Sequence, residues 1–170
     1  MKTFNIILFF IAGLYLFSVT KSGEEVVLIP NDSIRLRIIA NSNTVEDQIL
    51  KYDLVNKISN IFNITTLDFS SIEETRAEIN KKIPLVKNAV NELGLSASVN
   101  YGNNYFPDKT YKGINYEDGN YESLVVTIGE GRGENFWCVL FPPLCEYDTI
   151  ENISDAEYSF YIKNIIDKYI

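Results

Sequence analysis

Between Ile128 and Cys145 the chain reads IGEGRGENFWCVLFPPLC, and this stretch constrains the fold more than any other. Gly129, Gly131 and Gly133 open the backbone into a turn. Phe136 to Phe141 then forms a short apolar run, the pattern of a buried strand. Pro142 and Pro143 end it, because neither can donate to a strand ladder. Just upstream, Tyr121 to Ile128 alternates Tyr121, Ser123, Val125 and Thr127 against Glu122, Leu124, Val126 and Ile128, a second strand. The two strands predict a hairpin across the glycine-rich turn. If Phe136 to Phe141 is a regular strand, Trp137 and Phe141 share a face.

Two further strands are legible by the same period. Ser33 to Ala40 sets Ile34, Leu36 and Ile38 against Arg35, Arg37 and Ile39, which predicts a half-buried strand broken by Asn41-Ser42-Asn43. Leu95, Ala97, Val99 and Tyr101 mark the other. Between them lie two helical patterns. Thr44 is placed as an N-cap with Asp47 three residues on, and Leu50, Leu54, Ile58, Ile61 and Phe62 supply a core-facing stripe. Ser71 and Glu74 form a cleaner capping box, followed by Ile79, Ile83, Val86, Val90 and Leu93. Pro84 inside that pattern predicts a kink or a restart, and Gly94 a C-terminal stop. Asn103 to Asn120 is rich in Asn, Gly, Asp, Tyr and Lys and reads as a long exposed connection. Ser154 and Glu157 cap a last helix carrying Tyr158, Ile162, Ile165 and Tyr169. The order of elements predicts a single α+β domain: a mixed or antiparallel sheet with helices packed on one face.

The N-terminus is of a different kind. Lys2 precedes an apolar segment, Phe4 to Val19, of about 16 residues. That is shorter than the ~20 of a spanning helix and close to the ~7–15 of a secretory core. Residues 1–21 are therefore a signal peptide or a membrane anchor, 22–31 a polar linker, and 32–170 the folded domain. Either way the body is expected across a membrane.

Charge and composition exclude several classes of function. The net charge is −8, which repels phosphate backbones and disfavours nucleic acid as a partner. Histidine is absent, which removes Ser-His-Asp and Cys-His catalysis and any histidine metal site. Two cysteines are too few for a structural zinc site within one chain.

Each remaining polar feature has a local reading beside a functional one. The Gly129–Gly133 loop lacks the following helix that a phosphate cradle needs, and Glu130 and Glu134 would repel the anion. Cys138 and Cys145 admit a disulfide across the Pro142-Pro143 bend or two buried thiols. Trp137 is either core or a binding hot spot. Arg35, Arg37, Asn41, Ser42, Glu46, Asp47 and Gln48 gather around the first strand–helix junction, as a polar site or as caps and solvent-facing charges.

The block Ile34 to Gln48, IRLRIIANSNTVEDQ, and the block Ile128 to Cys145 together resemble the two signatures of the stage II sporulation protein R family of endospore-forming bacteria. Asn43-Thr44 stands where an Asp-Ser type pair is expected, and both pairs can cap a helix. The resemblance covers most of the chain after about residue 30. It implies a secreted signalling protein, made in the forespore and exported toward the space between forespore and mother cell. There it would trigger a membrane-embedded aspartic protease of the mother cell, which removes the pro-segment of the sigma factor E precursor. The chain is then a ligand and not an enzyme, with no cofactor. The contact surface would be drawn from Arg35, Arg37, Asn41, Ser42, Glu46, Asp47, Gln48, Gly129, Gly131, Arg132, Gly133, Trp137, Pro142 and Pro143. Two rivals stand beside it: a cell-wall-acting hydrolase with two carboxylates ~5–10 Å apart, and a structural protein of the spore envelope.

Overall fold

A computed structural model describes residues 27–63, 71–111, 114–145 and 155–169. The apolar leader, the first half of the linker and Ser154 lie outside the described residues. The chain runs β1 (Val27–Leu28), β2 (Ile34–Ile39), α1 (Val45–Phe62), α2 (Ile72–Glu92), β3 (Ala97–Phe106), β4 (Lys109–Tyr111), β5 (Ile114–Tyr116), β6 (Gly119–Ile128), β7 (Asn135–Phe141) and α3 (Asp155–Tyr169).

Four strands make the main sheet in the order β3-β6-β2-β7. It is mixed: β2 runs parallel to β6 and antiparallel to β7, while β3 and β6 are antiparallel. The expected hairpin of β6 with β7 is therefore not formed. β2 lies between them, with Ile39 opposite Thr127 on one side and Asn135 on the other. The connection from Gly129 to Glu134 is long enough to cross two strand spacings of about 4.8 Å each, so nothing forces its flanking strands to be neighbours. Ile34, Leu36 and Ile38 win the central place because β2 is covered on both faces and buried almost throughout. The prediction of a half-buried strand is corrected accordingly.

The main core lies between one sheet face and the first two helices. Leu54, Val55, Ile58 and Phe62 of α1 and Ile79, Val86, Ala89 and Val90 of α2 close over Ile34, Leu36, Ile38, Leu124, Val126, Ile128 and Leu140. Both caps act as their residues dictate: Thr44 accepts from the Asp47 N–H at 3.3 Å and Ser71 from the Glu74 N–H at 3.2 Å. α2 runs through Pro84 without dividing. Pro84 is exposed, so the carbonyl deprived of its partner faces water. Gly94, at φ 65°, ends the helix and donates to Asn91 O at 2.9 Å.

The opposite face is covered by segments that were expected to be irregular. Within residues 103–120, β3 extends to Phe106, and β4 and β5 form a second sheet with β1 in the order β1-β5-β4. α3 packs apart from the other helices: Ile162 sits with Ile29, Val139 and Leu144 in a satellite core, while Tyr169 near its end reaches Phe141 of the main core at 5.7 Å. A register shift beside Ile34 and Arg35 places both Leu140 and Phe141 in the main core. Trp137 and Phe141 consequently lie on opposite faces, because the strand is not regular.

Candidate functional site

Two loops 90 residues apart in sequence interlock at one end of the sheet. The glycine-rich loop arches over the end of β2 and seats on the turn that leads into α1. Ala40 and Gly133 close a backbone bond at 2.9 Å, and the Arg132 N–H donates to Asn41 O at 3.0 Å. Side chains complete the seam: Asn41 Oδ1 accepts the Glu130 N–H at 3.0 Å and Asn43 Oδ1 accepts the Glu134 N–H at 2.7 Å. The N–H groups a phosphate cradle would require are thus engaged within the protein. An aspartate at position 43 would accept the same bond, so Asn43-Thr44 in place of an Asp-Ser pair leaves the seam intact.

The glycines are demanded by this contact. Gly129 sits at φ 53°, and a Cβ there would collide with the Asn41 side chain. A Cβ on Gly133 would strike the Ser42 carbonyl. Behind the seam, Asp47 accepts from Ser42 Oγ at 2.6 Å and Asn41 Nδ2 at 2.9 Å, while Gln48 Nε2 donates to Ser42 O at 2.9 Å. The hydrogen bonds from Ser42 and then Asn41 hold the Asp47 carboxyl below its usual range.

Lys51 belongs to the same assembly although the sequence reading passed over it. It is buried, and its Nζ donates to Gln48 Oε1 at 2.6 Å and Glu134 O at 3.3 Å. Burial lowers its pKa, opposed by the charge of Glu134. The available signal was a lone cation on the stripe otherwise made by Leu54, Val55, Ile58 and Phe62.

The structure brings Asn41, Ser42, Asp47, Gln48, Gly129, Gly131, Arg132 and Gly133 together, with Glu46 exposed beside them. It separates the rest. Arg35 and Arg37 are not solvent-facing charges at the junction. They point to the opposite sheet face, where Arg35 stacks on Tyr121 at 3.3 Å and Arg37 lies 4.6 Å from the Trp137 ring. With its amide oxygen turned to Arg37, Asn135 accepts from Nη2 at 3.0 Å and Nε at 3.3 Å. Pro142 is buried and Pro143 half-buried, at the far end of β7. There Cys138 and Cys145 are joined as a disulfide with Cα atoms 5.3 Å apart.

Beside the seam, α1 carries Val45, Ile49 and Tyr52 in one exposed row, 70%, 56% and 54% accessible. Their spacing of four and three residues puts them on one helix face. Tyr52 also borders an open pocket of about 300 Å³ between β7 and the second sheet, whose walls include Arg35, Phe106, Lys109, Tyr116 and Trp137. Among the described residues no group of three or more His, Cys, Asp or Glu could hold a metal, and no helix is long and apolar enough to cross a membrane.

A mixed sheet with two helices on one face, closed at one end by two distant interlocking blocks, defines the class: a small α+β domain. The chain matches the family model "Stage II sporulation protein R" over residues 30–151. It is also 40% identical over 134 residues to the stage II sporulation protein R of Bacillus subtilis (strain 168), across 75% of this chain and 60% of that relative. The chain therefore belongs to the stage II sporulation protein R family. It aligns with about three fifths of the relative's length. No solved structure matches it.

Proposed function

We propose that this chain is a secreted activator of endospore formation, exported by its apolar leader to trigger a membrane-embedded aspartic protease that processes the sigma factor E precursor. The reading follows from family membership together with one structural observation. The seam of Asn41, Ser42 and the glycine loop is continuous with an exposed apolar row, Val45, Ile49 and Tyr52, a surface suited to a protein partner. Large exposed apolar side chains in a row are costly in water and gain when covered.

Activation is then differential binding. The chain would favour the protease's active state only as far as it contacts that state better than the inactive one. A seam locked by backbone and side-chain hydrogen bonds presents this surface with little ordering cost on docking.

Co-expression tests the proposal. The chain is exported in a host carrying the protease and the precursor, and precursor cleavage is followed. Cleavage is expected with the exported chain and not with a cytoplasmic form lacking residues 2–19. Absence of cleavage with the exported form, or equal cleavage with both, would overturn it.

A further inference from the structure

Among the described residues, the pocket beneath the second sheet holds a cation without a counter-ion. Arg35 is 2% exposed on the central strand, and its guanidinium lies against Tyr121 at 3.3 Å, with Phe106 at 5.6 Å and Tyr116 at 5.9 Å. Its Nε donates to Ser33 Oγ at 3.3 Å, but among the described residues its buried Nη2 has no hydrogen-bond partner. Among the described residues no carboxylate forms an ion pair with it. Burial lowers its pKa, yet an arginine remains protonated under any ordinary condition. An uncompensated buried charge is among the costliest arrangements in a protein interior.

That arrangement makes sense if something from outside completes it. Arg35 lines the pocket, and Phe106, Lys109, Tyr116, Trp137 and Val139 form the rest of its walls. Such a site favours an anion whose body is apolar or aromatic, since the walls bury the body and the guanidinium takes the charge. A carboxylate matches the single charge of the guanidinium; Lys109, which also lines the pocket, lies 5.2 Å over the Trp137 ring.

We propose that this pocket binds a carboxylate carried on an apolar or aromatic body, with Arg35 as its anion-recognising residue. The source is either a small free acid or the chain end of a polypeptide. The proposal does not depend on the activator reading and can fail without it.

Trp137 is the only tryptophan in the chain and borders the pocket, so its fluorescence reports occupancy. The purified full chain in neutral detergent is titrated with benzoate and with N-acetylphenylalaninate, each against its neutral amide. Saturable changes are expected for the acids, at least tenfold weaker for the amides. Tighter benzoate binding assigns a small free acid; tighter N-acetylphenylalaninate assigns a chain end. Arg35→Met should abolish the acid preference while raising the thermal midpoint of the unliganded protein, because it removes an unpaired buried charge. Arg35→Lys, which keeps the charge but loses the fork, should retain the preference with at least tenfold weaker binding. Equal responses to acid and amide, no saturation, or a lowered midpoint for Arg35→Met would overturn the proposal; the last would make the arginine a packing element.

Discussion

Asn41 reaches across 89 residues of sequence to accept the backbone N–H of Glu130 at 3.0 Å. Its Nδ2 simultaneously donates to Asp47. One amide thus ties the loop after β6 to the first turn of α1, and the geometry of the exposed surface depends on it.

Gly133→Ala should destabilise the domain by about 2 kcal/mol, because the new methyl meets the Ser42 carbonyl and the surrounding packing must shift. Asn41→Ala should cost less, about 1 kcal/mol, since the Glu130 N–H it abandons is near water. Urea unfolding of both variants checks the order, and an Asn41→Ala cost larger than that of Gly133→Ala would contradict it.

The acid limb of stability should carry the signature of Asp47. Its folded pKa lies below the unfolded value of about 3.9, so its contribution is complete above that pH and is lost as pH falls through the folded pKa. Asp47→Asn should therefore flatten the fall in urea midpoint below about pH 4, where the wild-type chain loses this contribution. Wild type and variant falling in parallel through that window would refute the assignment.

At the other side of the sheet, Glu122 accepts Arg76 Nη2 at 2.8 Å and the Tyr101 hydroxyl at 2.5 Å. Arg76 holds the Glu122 carboxyl low, while burial and then the Glu122 hydrogen bond push the Tyr101 phenol up. The arginine side chain is 43% exposed, so solvent screening reduces its share to less than about 1 kcal/mol. Tyr101→Phe should cost more than Arg76→Met, about 1–2 kcal/mol, because a hydrogen bond to a carboxylate is lost in a less exposed place. Chemical denaturation of the two single variants and the double variant tests this ranking and the coupling.

The Cys138–Cys145 bridge closes a small loop around the proline bend. Cys138→Ala with Cys145→Ala should lower stability by ~2–3 kcal/mol through the unfolded chain's regained freedom. Mass spectrometry of the exported protein should find two protons fewer than the dithiol form, and two alkylatable thiols would contradict the bridge.

How much of this was legible follows the reach of each signal. Thr44, Ser71 and Gly94 act within one turn of themselves, so caps and stops could be read directly. The period of two in Ile34 to Ile39 gave the faces of β2 but not its neighbours, since Gly129 to Glu134 can span a strand as readily as turn a hairpin. Arg35 was misplaced for a related reason. Its cover comes from Phe106 and Tyr116, in a segment whose Asn, Gly and Asp content hides short strands that only tertiary pairing stabilises. Phe141 changed faces through a bulge, which leaves no periodic trace in seven residues. The seam itself was half legible: both blocks stood out, but not that they touch.

The exposed row on α1 allows function to be separated from folding. Ile49 and Tyr52 are more than half accessible, so Ile49→Asp and Tyr52→Asp each remove apolar contact surface without opening the core. Surface changes of this kind normally move stability by no more than about 0.5 kcal/mol. If the row docks on the protease, each acidic variant should be exported and fold with an unchanged thermal midpoint, yet reduce precursor cleavage at least tenfold, since burying the new carboxylate is strongly unfavourable. Leu85→Asp serves as the control: Leu85 is equally exposed, at 50%, but lies on α2 away from the seam, and its replacement should leave cleavage intact. Full cleavage with Ile49→Asp and Tyr52→Asp would move the interface elsewhere. A loss with Leu85→Asp as well would mean that the partner reads the helical layer as a whole and not this row.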